Sequence, residues 1–112
     1  MRNNSADEVR LRHMLDSIKE IDRYIENTDF EKFSRETLLQ DGVIRHLMVI
    51  GEAADHLTDE TKDAFTGVNW YSVRGLRNRL VHEYFRIDIH IVWDTVKKNL
   101  PELKEQIEAI LS

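Results

Sequence analysis

The stretch that decides the fold is "DEVRLRHMLDSIKEIDRYIEN", residues 7–27. Its apolar residues return every three or four positions, which is the spacing of one face of an α-helix. They are Leu11, Met14, Leu15, Ile18, Ile21 and Ile25. Because most of the remaining positions are charged or polar, the segment predicts an amphipathic helix that buries one side against other helices.

Three further segments repeat this spacing, at about 35–57, 70–84 and 88–110. Between them lie short stretches with helix-capping residues. The candidate caps are Thr28 or Asp29, Ser34 before the second long helix, Thr58 in "TDETKDAF" (58–65), and Asn69. Pro101 lies inside the last segment and predicts a kink or a break near Asn99, since proline removes a backbone donor and clashes with the preceding turn.

These segments predict an all-α fold, an up-and-down four-helix bundle with short extra helical turns and a kinked last helix. A chain of 112 residues fits one domain, spanning 1–112. Gly42 and Gly51 interrupt the second long helix, and we expect them to mark the close approach of a neighbouring helix.

Composition and charge narrow the function classes. The chain has no cysteine, which excludes disulfides, thiolate zinc sites and a cysteine nucleophile. No apolar run reaches the roughly 20 residues of a membrane-spanning helix, and the N-terminus lacks the hydrophobic segment of a signal peptide, so we expect a cytoplasmic protein without a membrane partner. The net charge of -5 argues against nucleic-acid binding through bulk electrostatics, and any such contact must be local.

The stretch "RNRLVHEYF" (77–85) places polar residues at the end of an apolar helical pattern. On a helix, Arg77 lies inside the apolar stripe, and a permanently charged guanidinium there needs a carboxylate, an edge open to water, or an anionic ligand. Glu52 on the preceding long helix is a candidate partner. His82 shares a face with Asn78 instead, and it could simply be a helix-end histidine favoured by the macrodipole.

The residues Arg77, Asn78, His82 and Tyr84 in "RNRLVHEY" resemble the R-x-x-x-x-H-x-Y signature of the HepT toxins, within the HEPN superfamily of small helical ribonucleases. The resemblance extends to "VIGEAA" (49–54), to residues 70–82 and to "IVWDTVKKNLPELKEQI" (91–107), and thus to most of the chain.

The resemblance implies a four-helix bundle, a homodimer with the motif at or beside its interface, and metal-independent cleavage of RNA. It also implies a cognate nucleotidyltransferase antitoxin of the MNT type that silences the toxin by transferring AMP to Tyr84. In this interpretation His82 is the general base or acid and Arg77 binds the phosphate. Asn78 orients the histidine or the phosphate, and Glu52 is a supporting carboxylate.

Other candidate site residues are supported by weaker sequence patterns. Arg74, Arg79 and Arg86 could hold flanking RNA phosphates or be solvated surface charges. Glu52 and His56 have the spacing of a helical metal pair, but the sequence offers no third ligand, so we expect neither a metal nor a cofactor. We expect His13, His46 and His90 at the surface or at helix boundaries, and Trp70 and Trp93 in the core. The rival hypothesis is a non-catalytic helical subunit that binds a nucleotide or a nucleotidyltransferase.

Overall fold

The computed structural model of the chain describes residues 5–82 and 87–112, with the side chains of residues 81 and 82 outside the description. Within these ranges every regular element is helical. The helices are α1 (Ser5–Ile25), α2 (Phe30–Arg35), α3 (Thr37–Asp55), α4 (Asp59–Ala64), α5 (Trp70–His82), α6 (Ile89–Asp94) and α7 (Leu100–Leu111). The predicted all-α fold is confirmed. None of the helices in the described ranges has the length and apolarity needed to cross a bilayer.

Helix α3 is the centre of the packing, because it contacts α1 on one side and α5 on the other, while α1 also contacts α7. Contacts at both ends of α1 show that α1 and α3 run antiparallel. The Asp7 carboxylate bonds Thr58 just beyond the end of α3, whereas the Tyr24 ring lies against Gly42 near its start. The up-and-down order of the remaining helices stays a prediction.

The core consists of the apolar stripes that the periodicity predicts. Fully or almost fully buried side chains include Leu11, Met14, Ile18, Ile21, Phe33, Val43, Leu47, Ile50, Leu100 and Ile107. Each such side chain contributes about 1.5–3 kcal/mol by leaving water. Trp70 is buried as predicted, and Trp93 is partly buried with its ring 5.0 Å from that of Phe33.

Three of the predicted caps are present. Asp29 accepts a hydrogen bond from the Lys32 amide at the start of α2 (2.8 Å), and Thr58 caps α4. The Asn69 side chain accepts from the amide of Ser72, 3.1 Å away, in the first turn of α5.

The predicted cap at Ser34 is wrong. This residue lies inside α2, where its hydroxyl donates to the carbonyl of Glu31. Because α2 continues to Arg35, the N-cap position of α3 falls on Glu36, which makes no side-chain capping bond.

The interruption predicted before Pro101 is present, but as a π-helical segment, Thr95–Asn99, that joins α6 to α7. At its end the Leu100 amide donates to the carbonyl of Thr95, five residues back instead of four. Pro101, at the start of α7, has no amide hydrogen to donate. The wider π-helical turn before it therefore breaks no hydrogen bond that residue 101 could have made.

Candidate functional site

The site is built where α3 and α5 come closest, at Gly51. A Cβ atom at this position would lie 2.6 Å from the backbone nitrogen of Arg77 and 3.2 Å from the carbonyl oxygen of Val73. Only glycine therefore lets the two backbones meet here, as the sequence predicted. Gly42 is likewise close to a neighbouring helix, since a Cβ there would lie 3.1 Å from the Tyr24 ring.

This close approach places Arg77 beside Glu52, the residue that follows Gly51. The Nε atom of Arg77 lies 2.8 Å from a carboxylate oxygen of Glu52, and both side chains are about half exposed. Two of the alternatives for an arginine in the stripe are thus realised together, a carboxylate partner and an edge open to water. Because Glu52 contacts Nε, the two terminal nitrogens of the guanidinium are left to other partners, and one lies 3.5 Å from the Asn78 side-chain oxygen.

Glu52 also contacts His56, one helical turn further along α3. The His56 Nδ1 atom lies 3.6 Å from the second carboxylate oxygen and 2.9 Å from the backbone carbonyl of Glu52. Since a carbonyl oxygen only accepts hydrogen bonds, Nδ1 of His56 is the donor in this contact. The carboxylate therefore bridges Arg77 and His56. Among the residues that the structure describes, no three His, Cys, Asp or Glu side chains are grouped to hold a metal ion.

The bridge borders an open groove of about 490 Å³ that runs along the outer face of α3. Its walls include Arg10 and His13 from α1, Arg45 and His56 from α3, and Arg77 from α5. Its floor is apolar, formed by Met48, Val49 and Ala53. This groove cannot be predicted from the sequence, because its arginines come from three segments far apart in the chain.

Two other arginines of the predicted basic region, Arg74 and Arg79, do not line this groove. Arg79 is exposed and lines a cleft between α5 and the π-helical segment. Thr95 and Asn99 line the same cleft. Two residues apart on a helix, Arg77 and Arg79 point to opposite sides. Arg74 is exposed, with its guanidinium 5.8 Å from the centre of the Tyr71 ring.

Three predicted site residues are wholly or partly beyond this description. Tyr84 and Arg86 lie outside the described residues, and so does the side chain of His82. The His82 backbone is the last residue of α5. Asn78 and His82, four positions apart, share one face of that helix.

His46 differs from the expectation of a surface or helix-boundary residue. It is half-buried in the middle of α3, with Nδ1 3.1 Å from the Ser17 hydroxyl and Nε2 3.3 Å from the Tyr24 hydroxyl. Burial lowers the pKa of His46, and the neighbouring Arg45 charge lowers it further, although the Glu20 charge opposes both. The periodicity missed it because a histidine on a core-facing edge is polar in any hydropathy pattern.

Fold and site together define a small all-α protein that presents an arginine, a bridging carboxylate and a histidine at the edge of a basic groove. The sequence model of the family described as "Ribonuclease HepT-like" matches residues 14–110. The chain belongs to this family.

Individual relatives agree with the family match. "Putative RNase TTE0752" from Caldanaerobacter subterraneus is 34% identical over 101 residues, covering 90% of each chain. "Probable ribonuclease HepT" from Thermococcus cleftensis is 31% identical, covering 89% of this chain and 91% of its own. "Gamma-glutamylcyclotransferase and putative RNase MJ0434" from Methanocaldococcus jannaschii is 35% identical over 92% of this chain, which spans 46% of that longer protein. No solved structure matches the chain.

Proposed function

We propose that the protein is a metal-independent endoribonuclease, with tRNA as a candidate substrate, and the toxin of a type II toxin–antitoxin pair. The observation that carries the proposal is the Arg77–Glu52 pair at the edge of the basic groove. A guanidinium contacted at Nε by a carboxylate has a fixed orientation and still offers two terminal nitrogens to the oxygens of one phosphate. The relatives named as ribonucleases support the same activity.

The proposed reaction uses the ribose 2′-hydroxyl next to the scissile phosphate as the nucleophile. Its oxygen bonds to phosphorus as its proton goes to a base, and the bond from phosphorus to the 5′-oxygen breaks as that oxygen takes up a proton. His82 is the proposed base or acid, since histidine changes charge near neutral pH. Arg77 stabilises the added negative charge on the phosphorane, and Asn78 orients the phosphate or the imidazole.

Two proton transfers with one motif histidine call for a second protomer. We propose a homodimer in which both copies of Arg77 and His82 face one composite cleft, so that one imidazole acts as base and the other as acid. Control comes from a cognate MNT-type nucleotidyltransferase antitoxin. It would transfer AMP from ATP to the Tyr84 hydroxyl, with release of pyrophosphate, adding negative charge and bulk seven residues after Arg77 in the sequence, and so exclude RNA.

The test is cleavage of total tRNA by the purified, unmodified protein in excess EDTA, with His82→Ala and Glu52→Gln alongside. We expect the wild type to cleave and His82→Ala to be inactive. Glu52→Gln should lose about 10- to 100-fold in rate, as is usual when a residue that orients a functional group is replaced. Its melting temperature should fall by no more than about 5 °C, because a half-exposed ion pair contributes at most about 1 kcal/mol.

The opposite results are equally clear. Cleavage that requires a metal ion, or that persists in His82→Ala, contradicts the proposed mechanism. Absence of cleavage by the wild type, with intact mass excluding AMP on Tyr84, favours the non-catalytic binding subunit.

A further inference from the structure

The outer face of α3 carries Arg45 and His56, which none of the proposed catalytic steps uses, in line with Glu52. Arg45, Glu52 and His56 are spaced by seven and four positions, which places them on one stripe of the helix. From Arg45 to His56 this stripe is about 16 Å long at 1.5 Å per residue. Along one side of it stand Arg10 and His13 of α1.

Charge in this groove is opposite to that of the whole chain. Three arginines and two histidines line it, with Glu52 as its one carboxylate, whereas the net charge of the protein is -5. Glu52 is already engaged by Arg77 and His56. Among the described residues, no carboxylate forms an ion pair with Arg45 or with His13. Both side chains are exposed, and the permanently charged Arg45 guanidinium is available to an anion.

The side chain of Arg10 is held in place by a contact with a buried carboxylate. Its guanidinium lies 3.7 Å from the carboxylate of Asp7, which is completely buried. A cation tethered to a fixed anchor loses less side-chain freedom when it binds a ligand, so the ordering cost of binding is smaller.

The groove has the two features that a single-stranded nucleic acid needs. Cations along its walls suit a row of phosphates, and the apolar floor of Met48, Val49 and Ala53 suits the less polar faces of sugars and bases. A second copy of this chain fits less well, since a two-fold contact of this face with itself would bring like charges together.

Resting on the proposed ribonuclease function, we propose that this groove binds the RNA backbone beside the scissile phosphate. Arg45, His13 and Arg10 contact flanking phosphates, and Arg77 at the other wall holds the reacting one. The RNA-binding surface is therefore made by α1 and α3 with Arg77 at its edge, while Arg79 lies on the other side of α5.

The test measures binding without cleavage. The probe is a fluorescent single-stranded oligoribonucleotide of about a dozen nucleotides. It carries 2′-O-methyl riboses, which removes the nucleophile, and binding is followed by anisotropy over a range of salt concentrations. The variants are Arg45→Gln, Arg45→Lys, and Arg35→Gln as the matched control. Arg35 is an exposed arginine of α2 that does not line the groove.

We expect Arg45→Gln to bind about 10-fold more weakly, and the slope of log K against log[salt] to decrease in magnitude by about 0.7, the value for one lost contact with a single strand. Arg45→Lys keeps the charge and should keep the slope, and Arg35→Gln should match the wild type. Unchanged affinity in Arg45→Gln overturns the inference. So does a change of its mass in sedimentation equilibrium, which would assign the groove to a second copy.

Cleavage of unmodified RNA is followed in parallel and separates the two proposals. If the wild type cleaves RNA and Arg45→Gln binds the probe with unchanged affinity, the proposed RNA-binding groove is wrong and the ribonuclease function stands. If binding depends on Arg45 but the wild type does not cleave RNA, the ribonuclease function is wrong and the RNA-binding groove stands. Absence of RNA binding by the wild type overturns the inference.

Discussion

Asp7 ties the beginning of α1 to the beginning of α4. Its carboxylate is completely buried and accepts hydrogen bonds from the hydroxyls of Thr58 and Thr61, both 2.5 Å away, and from the Thr58 amide. Burial alone would raise the pKa of Asp7, but these hydrogen bonds and the charge of Arg10 outweigh it and hold the pKa below its usual 3.8. The charged carboxylate therefore stabilises the fold.

The direction of this pKa shift predicts an acid dependence. A carboxyl whose pKa is lower in the folded chain contributes stability above the unfolded pKa of 3.8, and that stability is lost as the pH falls through the folded pKa. We expect Asp7→Asn to be destabilised by about 1–3 kcal/mol at neutral pH. Its free energy of unfolding, measured with urea, should fall less steeply below pH 4 than that of the wild type. Equal acid dependence in both proteins would contradict this role.

Single residues also show what sequence reasoning can find. The pairing of Arg77 with Glu52 could be proposed from the sequence, because a charged residue inside an apolar stripe has few possible partners. The helix that approaches Gly51 could not be named from the sequence, and the structure shows that it is α5. The contact of Glu52 with His56 could not be predicted from the i,i+4 spacing, which a helical metal pair shares. Arg45 and His13 have no local sequence signal, because exposed basic residues occur on almost every amphipathic helix.

At the scale of the element, the packing of α3 on α5 fixes the position of Arg77. Gly51→Ala adds a methyl group where a backbone nitrogen lies 2.6 Å away, so the helices have to separate. We expect a loss of about 1–3 kcal/mol from overpacking, although alanine favours the helical state. Because Arg77 would move away from Glu52, cleavage should fall with stability. The measurement is urea unfolding together with tRNA cleavage.

Gly75 on α5 is the matched control, because a Cβ there meets no atom within 4 Å. Gly75→Ala should be more stable than the wild type by about 0.4–1 kcal/mol. If both substitutions stabilise the protein, the close approach at Gly51 does not constrain it.

The elements themselves were largely predictable from periodicity and capping, and the exceptions have physical causes. Helix α2 extends past Ser34 because that hydroxyl bonds a carbonyl inside its own helix, which a capping pattern cannot distinguish from a true cap. The π-helical segment was expected only as a kink or a break. A proline in the sequence indicates that the helical hydrogen-bond pattern is interrupted. Whether the helix then kinks, breaks or forms a π-helical turn depends on the packing of its neighbours.

At the scale of the whole molecule, the proposed composite cleft predicts that an inactive protomer silences its partner. His82→Ala should be inactive alone. After equal amounts of this variant and the wild type are mixed, unfolded and refolded together, mixed dimers hold one His82 at the shared cleft and lack the second proton-transfer group, so tRNA cleavage per wild-type protomer should fall to about half. If mass measurements show mixed dimers and cleavage per wild-type protomer is unchanged, each active site lies within one protomer.

Charge at this scale could be predicted only in part. The net charge of -5 predicts that any contact with nucleic acid is local. The sequence located the basic region in the arginines around Arg77, since they are neighbours in the chain. The groove instead collects cations from α1, α3 and α5, and such a set becomes visible only when the packing is known.

The π-helical segment Thr95–Asn99 has a consequence for how the chain length can change over evolutionary time. A hydrogen bond that reaches back five residues encloses one more residue than the four-residue step of an α-helix. A deletion of one exposed residue here, such as Lys98, would return the segment to an ordinary α-helix. The buried Val92 before it and Leu103 after it would keep their places in the core. The last helix can thus gain or lose one residue at this point while its two ends stay in register with their neighbours.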